Sequence, residues 1–461
     1  MDKAKRLELL EKTNIPKATL MLAIPTIISS LVMVLYNLAD TYFVGLLNSP
    51  IETSAVTLAA PVLLFFNAVI NFSGIGGSSL TSRALGKKDY KLAKVATSFS
   101  FYISLVFGIL FSALFFILHN PLLSLLGASS VDASSTYNYL FWTTGLGATP
   151  SIIALVLAYL IRAEGSSMHA SIGTMLGCLL NIALDPIFIL PFGLNMGASG
   201  AGLATLISNV ISCVYMLIFL LINKKSTFIS INIKNLKHFK LVVRDIFAVG
   251  MPAAIQNALN VTSMIVLNNF IAFYGNEAVS AMGIAYKINM IPMYICMGFG
   301  QGIMPLISYN YASKSYGRMK KTITFSLKIM EIMVIVFSVL YFILSPNLIG
   351  AFMKDTLVVE YGTIYLRAMC FSLPFMCTGF VAVSTSQAIG NGKSSLLFAV
   401  LRKGFLEIPS IVLLNKLIPH YGIAYSHLVA EVGVFVVAIL VLVKIFRKCS
   451  EKVDNEYSRD K

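Results

Sequence analysis

The chain is 461 residues long, 57% hydrophobic and 12% charged, with a mean hydropathy of +0.81. Soluble domains carry about 25% charged residues, so this composition excludes a water-soluble fold. A net charge of +15 would suggest a nucleic-acid partner in a soluble protein; here the placement of the charge gives it another meaning, and no nucleic acid is expected.

Residues 1–17 mix acids and bases and lack a compact apolar core ending in a small-residue cleavage site, so they read as a cytoplasmic N-terminal segment. Beyond them, apolar runs alternate with short polar breaks. A hydrocarbon core about 30 Å thick needs roughly 20 apolar residues per helix. The runs at 18–47, 55–80, 92–118, 135–161, 168–192 and 198–222 give six spans, and those at 246–273, 279–309, 322–346, 362–388, 394–416 and 421–445 give six more. The predicted fold is an all-α polytopic membrane protein of about twelve transmembrane helices. An N-terminal lobe (18–222) and a C-terminal lobe (246–445) flank a basic cytoplasmic linker (223–245), and 446–461 form a cytoplasmic tail. With both termini inside the cell membrane, Lys and Arg collect in or beside cytoplasmic segments, apart from Lys287, Lys354, Arg367 and Lys416.

Span one contains Pro25, which removes a backbone hydrogen bond and permits a bend, and Asp40, with Tyr36 one helical turn before it. An ionisable group inside a span is costly and is kept where it works or is paired. Asp40 therefore reads as functional, or as an interfacial acid at the outer end of its helix. Met33 and Met175, with many phenylalanines, suit either a pliable drug cavity or ordinary packing, and Asn37 joins them as a candidate cavity residue. In span five, Asn181 and Asp185 are four apart and face one side, with Pro186 just beyond. They form either a cation or proton site or a helix-packing hydrogen-bond pair. Counting about 1.5 Å per residue places Asp40, Asp185 and Thr205 of span six at similar depth in the outer half of the bilayer. Two carboxylates in a poorly hydrated pocket make a proton switch, and the same oxygen-rich set, Asp40, Asn181, Asp185 and Thr205, is a candidate Na+ site.

The second half repeats the first at an offset of about 223 to 227 residues. Pro25 meets Pro252, GIG at 74–76 meets GFG at 298–300, and RAEGSS at 162–167 meets QAIGNGKSS at 387–395. Six spans per half make the two halves parallel, pseudo-symmetric repeats with a cavity between two six-helix lobes. Lys287, Glu331, Glu407 and Glu431 are the charges within or near second-half spans and read as structural pairs, with Lys287 able to partner an acid. The six cysteines and five histidines show no metal-ligand spacing, no Walker signature is present, and no cofactor is expected beyond H+ or Na+ as coupling ion.

Together, LAIP and YNLADTYFVG in span one, GIGGSSLTSRALGKKD after span two, RAEG after span four, LLNIALDPIFI with GASGAGLAT, and GFGQGIMPLISYNYA resemble the multidrug and toxin extrusion (MATE) transporters over nearly the whole chain. The resemblance implies two six-helix lobes forming a V that exchange small organic cations for protons or sodium by alternating access, without ATP. It also implies a coupling site at Asp40, Asn181, Asp185 and Thr205, bordered by Tyr36, with Pro25 letting span one bend. Some relatives place coupling acids in spans seven and ten; here span seven offers Gln256 and Asn257, and span ten has no acid between Gly362 and Ala388. The pattern is closer to bacterial relatives that rely on the first lobe. Expected partners are the lipid bilayer and the transported cations, with the chain acting as a monomer. Two other functions compete: a flippase for a lipid-linked saccharide or similar amphiphile on a related two-lobe fold, and a membrane-bound transferase. The first is favoured by a cationic cavity, the second by clustered catalytic groups, and the first half offers acids and few bases.

Overall fold

A computed structural model describes residues 3–128 and 131–457. The extreme ends of the predicted N-terminal segment and tail, 1–2 and 458–461, lie outside the described residues. A short helix α1 (Lys3–Glu11) precedes twelve helical passes. In the first half these are α2 (Ile15–Gly45), α3 with α4 (Pro50–Ile70, Gly76–Gly86), α5 (Tyr90–Leu125), α6 with α7 (Ala133–Leu140, Ala148–Ala163), α8 (Ser167–Ile189) and α9 (Ala198–Ile222). In the second half they are α10 (Lys240–Ala272), α11 (Asn276–Ala312), α12 (Tyr316–Phe352), α13 (Thr356–Ala388), α14 with α15 (Gly392–Ala399, Ile408–Leu417) and α16 (Gly422–Tyr457).

Among the described residues nine passes are long and apolar enough to cross a bilayer, one of them α3 and α4 joined through a π-helical turn, and the pair α6 and α7, bent by 50°, makes a tenth. The other two are less apolar or less regular for visible reasons. α10 carries Gln256, Asn257 and Asn260 near its middle, and the eleventh pass is interrupted by a π-helical turn at Val400–Glu407 that holds Arg402, Lys403 and Glu407. α10 also begins at Lys240, inside the stretch read as linker, because Val242 and Ile246 bury against Leu80, Val95 and Phe99 and draw the chain into helix early. α16 likewise continues as helix into the stretch read as tail.

Local chemistry sets the helix starts. Asp89 accepts from the Leu92 N–H at 2.9 Å and Asp355 from the Val358 N–H at 3.0 Å, satisfying donors that a first helical turn leaves free. The repeat is visible in the backbone as well: Lys88 and Lys314 both adopt positive φ (59° and 61°), and so do Gly165 and Gly390 (88° and 79°), at equivalent turns of the two halves.

The first half is built on one apolar core that includes Phe66, Leu140, Ile152, Leu157 and Met216, and the second on two that include Phe299, Met330 and Phe398, and Ile271, Tyr365 and Leu366. The halves meet through small residues at the end that carries the basic loops. A Cβ on Gly302 would strike Ala23, and one on Gly250 would strike the Phe72 carbonyl. Ser79 Oγ donates to the Gln387 carbonyl at 2.5 Å, Arg162 Nη1 to Gln301 Oε1 at 3.2 Å, and Asn257 Nδ2 to the Leu64 carbonyl at 3.4 Å. Gly250→Val is therefore expected to destabilise this closed end by about 1–3 kcal/mol, the range for overpacking, measured as a lower Tm of the purified protein.

Helix α1 straps the same end. Fully buried Arg6 pairs with fully buried Glu164 of the first half, and Glu164 also accepts from Thr227 Oγ1 at 2.9 Å and the Phe228 N–H at 2.8 Å. On its other side, the Leu10 carbonyl accepts from Asn310 Nδ2 at 3.1 Å, and Tyr309 donates to Glu11 at 3.2 Å. Leu9 and Leu10 complete a cluster with Leu22, Leu85, Leu306 and Tyr309.

Candidate coupling-ion site

Helices α8 and α9 pack closely, and α2 packs against α8, which brings the predicted polar residues of three spans to one place. Asn181 (2% exposed) and Asp185 (0%) share one face of α8, as their spacing requires. With its amide turned so that both ends are satisfied, Asn181 donates from nitrogen to Asp185 Oδ2 at 3.0 Å. Its oxygen then accepts from the Thr205 hydroxyl at 3.3 Å and the Thr205 backbone N–H at 3.1 Å. Asn181, Asp185 and Thr205 therefore form one hydrogen-bonded chain.

On α2, the hydroxyl of Tyr36 lies against the Thr205 side chain, within electrostatic reach of Asp40 and Asp185. Asp40 is half-buried as a residue, yet its Oδ1 is sealed from solvent and has no hydrogen-bond partner. The charge of Asp40 acts on Asp185, and among the described residues neither carboxylate has a basic group as an electrostatic neighbour. Like charges confined together without a base favour a state in which one of them carries a proton or a cation lies between them.

Two residues that sequence reasoning missed belong here. Tyr139, at the end of α6 and 4% exposed, is in electrostatic contact with Asp40, Tyr36 and Asp185, and Cys178, one turn before Asn181 on α8, neighbours Tyr36. Cys178 was recoverable from helical spacing; Tyr139 had no signal, because only the bend between α6 and α7 and the packing of α6 on α9 bring it inward.

The other candidates are placed less tightly. Met33 and Met175 are half-buried, and exposed Asn37 donates its amide to the Met33 carbonyl at 2.8 Å, one turn from Tyr36 and Asp40. Pro25 is buried inside an α2 that runs as one helix from Ile15 to Gly45, with Thr26 Oγ1 returning a hydrogen bond to the Leu22 carbonyl at 2.9 Å. Among the second-half charges, Glu407 and Glu431 are paired as expected, Glu331 instead accepts from Thr378 at 2.6 Å, and half-buried Lys287 makes no ion pair among the described residues. All six cysteines are free thiols.

Comparison with known proteins agrees with this architecture. The MatE family profile matches twice, over residues 25–187 and 252–413, once in each repeat. The chain is 33% identical over 440 residues to the multidrug export protein MepA of Staphylococcus aureus (strain MRSA252), covering 95% of this chain and 96% of that one. It is 32% identical over 440 residues to MepA of Staphylococcus saprophyticus, with the same coverage. A solved outward-facing conformation of a multidrug resistance MATE family transporter of the MOP superfamily superposes with a TM-score of 0.91 at 23% identity, covering 97% of this chain and 99% of that chain.

Proposed function

We propose the following reading of this chain, which belongs to the MATE family: it is a multi-pass membrane antiporter, not an enzyme, that exports small organic cations, drugs among them, in exchange for a coupling ion. The observation that carries it is the buried, base-free pair of carboxylates Asp40 and Asp185. Lobes 18–222 and 246–445 rock about the linker 223–245 in alternating access, with the basic loops and both termini on the cytoplasmic side. A monomer is the proposed working unit.

The coupling ion in this reading is the proton. Asn181 is engaged at both ends, its nitrogen by Asp185 and its oxygen by Thr205, so the cluster presents a cation with little beyond the carboxylate oxygens themselves. Sodium seeks several oxygen ligands, whereas a proton needs a single carboxylate. Neutralising Asp40 removes its repulsion with Asp185 and lets the outer part of α2 shift, with Pro25, which lacks the N–H that would stiffen the helix, as the place where it bends. Met33, Asn37 and Met175 then line the adjoining drug path. The lipid-linked saccharide flippase is disfavoured by the acid-only cluster, which suits cationic cargo.

Ethidium efflux from proteoliposomes under an imposed proton gradient, and separately a sodium gradient, tests this with wild type and Asp40→Asn. Proton-driven flux lost in the variant is expected. Flux driven by sodium alone would replace the proton in this scheme, and no flux under either gradient with folded protein would return the flippase to first place.

A further inference from the structure

The second half contains a buried charged cluster that the coupling site does not use. Glu407, 1% exposed, ends the π-helical turn Val400–Glu407 in the eleventh pass. Its Oε2 lies 2.6 Å from Lys403 Nζ, its Oε1 accepts from Ser263 Oγ at 2.8 Å, and His427 Nδ1 lies 3.5 Å from Oε1. Tyr286 of α11 borders the carboxylate, and a second pair, Arg402 with Glu431 at 3.4 Å, stands beside it on the same helices.

The internal repeat accounts for this location. The 227-residue offset that carries Pro25 onto Pro252 carries Tyr36 onto Ser263. Leu180-Asn181-Ile182 and Leu406-Glu407-Ile408 align at an offset of 226, which carries Asn181 onto Glu407. Setting Gly197 against Gly422, at the starts of α9 and α16, brings His427 and Glu431 into the stretch equivalent to the one around Thr205. The cluster is therefore built by the same three passes of its repeat as the first-half site. The chemistry is redistributed: the same offsets carry Asp40 onto Leu267 and Asp185 onto Ile411, so the acid of the second half stands at the counterpart of Asn181. Among the described residues the first-half acids have no base as an electrostatic neighbour, whereas Glu407 has an amine tethered four residues away.

We propose that the second half carries a repeat-related copy of the cation site whose monovalent cation is built in: the Lys403 ammonium occupies Glu407, so this half takes up no external cation while the first half exchanges one. The inference rests on reading Asp40, Asn181, Asp185 and Thr205 as the coupling site. A carboxylate buried at this depth needs a permanent positive partner or a bound ion. Lys403 supplies the partner at hydrogen-bonding distance, with Ser263 and His427 on the remaining oxygen. π-Helical turns recur at functional sites, and this one lies where the repeat places the site.

Removing the tethered amine should turn the pocket into an open cation site. Melting of the purified full-length protein is followed in detergent at constant ionic strength, with N-methylglucamine chloride replaced stepwise by methylammonium chloride. Lys403→Ala is expected to melt several degrees below wild type and to recover saturably with methylammonium, beyond any response of wild type, which belongs to the first half. Lys403→Ala/Glu407→Gln should recover without methylammonium and show no added response. Lys403→Ala melting like wild type, or a fall that neither methylammonium nor Glu407→Gln reverses, would overturn the proposal. If Lys403→Ala cannot be purified, the double variant decides: stable protein supports the built-in cation, and equal instability refutes it. Failure of the coupling reading appears separately, in Asp40→Asn efflux, which these melts leave untouched.

Discussion

Asp185→Asn is expected to fold and to lose concentrative efflux. The substituted amide keeps the shape of the side chain, and its oxygen can still accept from the Asn181 nitrogen, so Asn181 stays as it is and its oxygen keeps the hydrogen-bonded link to Thr205. What disappears is the ionisable group that senses Asp40. The steady-state substrate gradient in proteoliposomes should fall by about 5- to 150-fold, the range of a lost coupling of 1–3 kcal/mol, while substrate still binds. Asp185→Ala should be worse folded as well, because it leaves the Asn181 nitrogen buried without an acceptor. Wild-type gradients sustained by Asp185→Asn, at matched amounts of folded protein, would remove Asp185 from the coupling mechanism and leave it a packing residue.

The second large effect is expected at the strap. Arg6→Ala should destabilise the protein by about 3–5 kcal/mol, because it leaves a fully buried Glu164 carboxylate without its charge partner. Replacing both partners by apolar residues of similar size, Arg6→Met with Glu164→Leu, should recover most of the loss, since neither charge then remains buried. Thermal unfolding of the single and double variants reads this directly, and a double variant as unstable as Arg6→Ala would show that α1 is held by its other contacts instead. Because α1 also holds Asn310 and Tyr309 of the second half, the single variant should open the basic end more readily. Faster labelling of a cysteine introduced at Leu85 by a soluble thiol reagent from that side would report the opening.

The strap and the proposed coupling site differ in how far the chain alone reveals them. Arg6 and Glu164 are 158 residues apart, and nothing in KAKRLELLE or RAEG states that they meet. Their pairing exists only because the turn after α7 and the segment at 227–228 converge under α1. The proposed coupling residues, by contrast, announce themselves through cost: an acid inside an apolar run is rare enough to single out Asp40 and Asp185, and a spacing of four residues puts Asn181 on the face of Asp185.

From the sequence alone came the number of passes, the duplication and the polar residues of the first-half site, because bilayer thickness, helical periodicity and the penalty for burying charge all act along the chain. The tertiary structure decided what depends on packing between distant segments. It brought Tyr139 inward, left Lys287 without an ion pair among the described residues, and set Ser263, Lys403 and His427 around Glu407. Side-chain partners across helices depend on rotation and tilt, which hydropathy does not encode, and so only the packed fold reveals which buried charges are balanced and which are left to take an ion.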